Sequence, residues 1–90
     1  NFEFTTEQAQ QIGDILVIDW DNVDLEEFRM GLGVELEHGS MFGEQTNVTG
    51  DDLVATGRIA LAHLYELPNY YTLLEEMEQS AMRSLLNNPR

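Results

Sequence analysis

Apolar positions divide the chain into four helical segments joined by short turns, an all-α pattern. In the first segment, "TTEQAQQIGDI", Ala9 and Ile12, followed by Ile15 or Leu16, form the apolar side. Thr5 is placed to cap it, with Gln8 three residues on to reach back. The next run, "ILVID", has strand composition but is too short to decide by periodicity. A lone strand has no sheet to join, so the run reads as a helix end entering a turn.

The second segment, "DNVDLEEFRMGLGVELEHG", carries the clearest helical signal. Leu25, Phe28, Leu32 and Leu36 recur at spacings of 3, 4 and 4, Asp24 caps, Glu27 completes a capping box, and Gly39 follows as the stop. Gly31 and Gly33 lower helix propensity there and point to close packing against a neighbouring helix. "GSMFGEQTNVTG" then reads as the one real loop. The third segment, "TGDDLVATGRIALAHLYEL", takes Thr49 and Asp52 as a capping-box pair, and its apolar centre "IALA" predicts a helix touching several others. Pro68 breaks the chain, and Asn69 is expected to cap "YYTLLEEMEQSAMRSLL". Tyr70, Leu74 with Leu73, Met77, Ala81 and Leu85 are its predicted inner face, and "NNPR" a frayed tail. With so short a joint, the last two helices form a hairpin or corner. Residues 1–90 make one compact domain of about four helices.

Charge sharpens the picture. Seventeen acids stand against four bases, for a net charge of −13, and every base is an arginine: Arg29, Arg58, Arg83 and Arg90. Without lysine there is no Schiff-base nucleophile and no Walker lysine, and without cysteine no disulfide, thiolate or Cys-ligated metal. The field repels nucleic-acid phosphates and anionic membranes, so neither is an expected partner. No apolar run approaches the roughly 20 residues of a membrane helix. Beginning at Asn1, the chain reads as a processed, trimmed or excised segment. A soluble, cytoplasmic or virion-associated setting is expected.

Four residues form the candidate metal set: Glu35 and His38 in the second helix, and the reversed pair His63 and Glu66 in the third. Two carboxylates and two imidazoles suit Zn²⁺ or Fe²⁺ if the helices run antiparallel at matched height. Di-iron bundles need two Glu-x-x-His motifs and further bridging carboxylates, and here the second motif is reversed. On a helical wheel Glu35 lies at the edge of the core stripe, with His38 nearer solvent. The preferred reading makes all four boundary residues in hydrogen bonds or ion pairs, with no metal and no cofactor.

Other candidates fall away sooner. Counted from Asp19, an EF-hand would need glycine at Asp24 and glutamate at Met30. The sequon Asn47–Thr49 reads as turn and cap chemistry. Ser40, Ser80 and Ser84 have no glycine elbow or adjacent base, and Glu75 and Glu76 lie on a solvated face. Tyr65, Tyr70 and Tyr71 gather at the Pro68 corner, as core residues or as an aromatic patch for a partner.

From "FTTEQAQQIG" to "LLEEME", residues 4–78, the chain resembles a small family of unknown function found in bacterial and phage genomes. "DLEEFRMGLGVELEHG", "TNVTGDD" and "TGRIALAHLYELPNYYTLLEEME" carry the likeness. The resemblance implies a compact helical domain and brings no activity, cofactor or catalytic residue. It also implies, for a phage origin, a virion-associated or host-factor-binding role. The expected function is a non-enzymatic, acidic module that binds another protein through a basic or aromatic-accepting surface, decorating or stabilising a larger assembly. The alternatives are a metal-binding protein or metal-dependent enzyme using Glu35, His38, His63 and Glu66, and a nucleic-acid mimic that inhibits a DNA-binding protein.

Overall fold

A computed structural model describes residues 2–87. Within them lie four helices and no strand: α1 (Thr6–Ile15), α2 (Leu25–Glu35), α3 (Leu53–Glu66) and α4 (Tyr70–Asn87). α2 packs against each of the other three. The core joins Ala9 and Ile12 of α1, Ile18 and Val23 of the first connection, Phe28 and Leu32 of α2, Ala60 and Leu64 of α3, and Tyr71 of α4.

α1 begins as its sequence predicts. The Thr5 side chain accepts from the Gln8 N–H while Gln8 Oε1 accepts from the Thr5 N–H, at 3.1 and 2.9 Å. Its end settles the two open readings. Leu16 is partly buried against the core, Ile15 is exposed, and "ILVID" leaves the helix in a turn. In that turn the Val17 N–H donates to the Asp14 carbonyl and the Ile18 N–H to the Gly13 carbonyl, the paired bonds of a Schellman motif. The motif puts Val17 at φ 58, the left-handed region that glycine takes without strain. Val17 is also 86% exposed, so its side chain returns little packing. Val17→Gly is therefore expected to stabilise the domain by about 1 kcal/mol, read as a higher urea midpoint with unchanged slope.

α2 is shorter than its periodicity predicts. It ends at Glu35 and tightens into a single 3-10 turn, Leu36–His38, before Gly39. Its capping box is half made. Asp24 accepts from the N–H groups of Glu26 and Glu27, but the Glu27 side chain turns away from its own helix. The following loop is not wholly irregular: it holds two further 3-10 turns, Ser40–Phe42 and Glu44–Thr46. Its ends are clasped by Asp51, which accepts from the Ser40 N–H at 2.9 Å and the Ser40 hydroxyl at 2.6 Å. Those bonds hold the Asp51 carboxyl below its ordinary pKa. Asn47 accepts from the Gly50 N–H and Thr49 from the Asp51 N–H, both in turns.

α3 is capped by Asp52, whose side chain accepts from the Ala55 N–H, so the helix starts beyond the Thr49–Asp52 box. It meets α1, α2 and α4 as its apolar centre predicts. Its buried arc is nevertheless narrow: Thr56, Gly57, Ala60 and Leu64.

α4 departs most from expectation. Tyr71 is its one buried residue, and Tyr70 and Leu74 are partly buried. Beyond that first turn and a half the helix runs on with Met77 60%, Leu85 70% and Leu86 72% exposed. The periodicity is that of an inner face, yet nothing among the described residues covers it. The molecule extends 48 Å along its longest axis. Asn87, expected in the tail, closes α4, and the rest of "NNPR" lies outside the described residues. Among the described residues, no helix is long and apolar enough to cross a membrane.

Candidate functional site

The junction of α2 and α4 is built around one residue, Tyr71. Glu27, Gly31 and Glu35 stand four residues apart on α2, so they form one near-axial row about 12 Å long. Glu27 sits under the start of α4. Its Oε1 accepts from the backbone N–H groups of Tyr71 (3.0 Å) and Thr72 (3.3 Å), and its Oε2 accepts from the Thr72 hydroxyl. A carboxylate thus meets the positive end of α4, supplied by another helix. Asn69 keeps the N-cap position expected from sequence, its carbonyl accepting from the Leu73 N–H at 3.1 Å, while the carboxylate that caps the free N–H groups comes from Glu27.

Gly31 makes room for the ring. A Cβ there would lie 2.5 Å from Tyr71 Cε2 and 2.9 Å from Cδ2. Gly33 answers a different neighbour, since its Cβ would stand 2.2 Å from the Phe2 carbonyl oxygen. At the far end of the row, the Tyr71 hydroxyl donates to Glu35 Oε2 at 2.7 Å, with both side chains buried. Burial, and then the bond to Glu35, push the Tyr71 phenol far above its ordinary pKa, so it stays a donor.

Glu35 is also where the two imidazoles meet. His38 Nε2 stands 3.4 Å from Glu35 Oε1, and His63 Nε2 stands 3.6 Å from Oε2. On its other side, His63 Nδ1 is 3.7 Å from Glu66 Oε1. The His63 ring stacks on Tyr70 with centroids 4.4 Å apart and meets Tyr71 edge-on. All four residues of the candidate metal set are therefore in one place, strung in a line: His38, Glu35, His63, Glu66. The line matters chemically. A cation shared by all four would need their lone pairs to converge, whereas His63 presents opposite edges of its ring to the two acids. Among the described residues no group of three or more His, Asp or Glu side chains is arranged to hold a metal ion.

Two surface hollows lie near the junction. One, of about 320 Å³, has Phe2, Phe4, Tyr71, Glu3, Glu75 and Glu78 in its wall. The other, of about 450 Å³, lies beyond the end of α2, among Phe2, Leu36, Met41 and Leu53. Neither is lined by His38 or His63, so the polar line faces neither hollow. Ser40 and Asp51 also line the second hollow, where the Ser40 hydroxyl donates to the Asp51 carboxylate at 2.6 Å. The bonds from Ser40 hold that carboxyl below its ordinary pKa, which makes it a weak base.

A family model described as "Protein of unknown function (DUF5661)" matches residues 9–80. The chain belongs to this family. No curated protein and no solved structure matches it. The DUF5661 match takes in the whole Glu27–Gly31–Glu35 row, both histidines, Glu66 and Tyr71, and ends inside α4 at Ser80. It therefore spans the fastened part of α4 and stops short of Met82, Leu85 and Leu86.

The sequence gives a signal for the Tyr71 receptor, though of a kind easily overlooked. A small residue midway between two acids, all at helical i, i+4 spacing, marks a row that an aromatic side chain can lie along. Which aromatic occupies it is decided by packing between elements far apart in the chain.

Proposed function

We propose that this protein is a non-enzymatic interaction module, a small helical body that holds out one helix for another protein. One observation carries the reading: beyond its last buried residue α4 runs on for about four turns with large apolar side chains uncovered, Met77 and Leu85 on the side that continues Leu74 and Met82 and Leu86 further round, each more than half exposed. Exposed apolar surface of that extent costs solubility, and contiguous patches of this kind mark docking sites. The base of α4 is meanwhile fixed by Glu27, Tyr71 and the Tyr70–His63 stack, so the outer turns are presented from a rigid support. A body of this size offering one helix is suited to decorating or stabilising a larger assembly, a virion included.

The test is capture of the natural partner from the native source by the unaltered chain and by a Met77→Glu/Leu85→Glu variant. Both positions are solvent-exposed, so the variant is expected to keep the wild-type circular dichroism and melting temperature. It is expected to lose at least about 90% of the captured partner, as removal of two interface anchors does. Equal capture by both proteins would remove α4 from the interaction.

A further inference from the structure

Resting on that reading of α4, we infer that the partner element is a basic amphipathic helix, laid along the stripe and placing a Lys or Arg side chain in the hollow beside it. Three features of the surface specify this chemistry.

The first is the period of the stripe. Leu74, Met77, Ala81 and Leu85 follow at spacings of 3, 4 and 4 and fall within about 80° of one another around the helix. Leu74 is packed against the core and the others run outward from it. The stripe thus continues the packing surface of the bundle past its edge, and its ridges suit a second helix. Next, the acids are placed at its border. Glu75 and Glu78 lie on the side of α4 that carries Tyr71, and with Glu3 they line the 320 Å³ hollow whose apolar wall includes Phe2, Phe4 and Tyr71. Arg29 also reaches that hollow, but its guanidinium is committed to Glu26 at 2.9 Å and to the Phe4 carbonyl at 3.2 Å. Three carboxylates beside three aromatic side chains suit an incoming cation. Last, among the described residues the stripe has no cation of its own. Arg83 lies on the opposite side of α4, about 180° from Leu74–Ala81. A second copy of this chain would bring another −13 and set acid against acid.

The two occupants have opposite responses to salt. A basic helix is held partly by charge and is released by salt, whereas self-association of so acidic a chain is helped by it. The probe is a synthetic amphipathic helix of leucine and lysine, titrated into the full chain and followed by amide NMR shifts and by light scattering. Binding is expected to shift residues 73–86 and those lining the hollow, and to weaken about tenfold or more between 50 and 500 mM NaCl. Glu75→Gln/Glu78→Gln is expected to weaken it about tenfold, while Glu7→Gln/Glu44→Gln, an equal charge change elsewhere, leaves it within about twofold. Equal losses from the two double variants would overturn the inference, because the charge would then act without a site. Dimers that strengthen with salt and are abolished by Met77→Glu would also overturn it, leaving the interaction module in place with a second copy as the occupant. No shifts along α4, together with unchanged partner capture by Met77→Glu/Leu85→Glu, would remove both readings at once.

Discussion

Tyr71→Ala is expected to be the most damaging single substitution, costing about 3–5 kcal/mol, the range for truncating a large buried aromatic residue. Tyr71 is the largest fully buried side chain, and it lies along α2 from Glu27 to Glu35. A domain of this size has roughly 0.05–0.15 kcal/mol of stability per residue, so such a loss removes much of what holds it folded. Tyr71→Phe separates ring from hydroxyl. It keeps the contact over Gly31 and leaves Glu35, only 3% exposed, without its hydroxyl donor. That loss is expected to be about 1–3 kcal/mol. Urea unfolding of the three proteins checks both values. A phenylalanine variant as stable as wild type would show that the Glu35 bond contributes nothing.

Glu27→Ala comes second, with an expected loss of about 2–3 kcal/mol, because a buried carboxylate capping a helix is both a charged acceptor and an N-cap. Its removal leaves the Tyr71 and Thr72 N–H groups and the Thr72 hydroxyl without their acceptor. The effect should also be local. Amide exchange at Tyr71 and Thr72 is expected to accelerate more than exchange in α1, whose own Thr5–Gln8 cap is untouched. Uniform acceleration across all four helices would contradict a capping role. Glu27→Gln, which keeps the acceptor oxygen and removes the charge, is expected to lose about 1 kcal/mol.

Much of the bundle is legible from periodicity and caps. Ala9 and Ile12, Phe28 and Leu32, and Thr5 with Gln8 do in three dimensions what their spacing predicts. The misreadings share one cause: a local motif states what a residue can do for its own helix, and tertiary contacts claim some of those residues. Glu27 fits the capping-box position of α2 and instead caps α4. Asn69 holds the N-cap position of α4, but the side-chain acceptor there is Glu27. Gly31 marks close packing against a neighbouring helix as expected, at the Tyr71 ring of α4, whereas Gly33 answers the Phe2 carbonyl, which precedes the first helix. On α4 the period correctly finds an apolar stripe, but period cannot say whether the same chain supplies the cover.

The four-residue Glu/His set is the more instructive case. Sequence spacing nominates Glu35, His38, His63 and Glu66, and the fold does bring them together. What the spacing cannot carry is order. A line with one buried carboxylate between two imidazoles differs from a shell around a point, and the difference lies in how α2 and α3 are turned about their axes. Tyr71 completes the distinction, because its hydroxyl donates to the Glu35 oxygen that faces His63.

Hydrogen–deuterium exchange along α4, with and without the partner captured by the unaltered chain, tests the central claim most directly. The free protein should show slow exchange near Tyr71 and progressively faster exchange through residues 77–86, and partner binding should slow exchange in that outer segment while α1 stays unchanged. Slowing confined to the Asp19–Asp24 turn or to the loop over residues 40–51, with α4 unaffected, would contradict it.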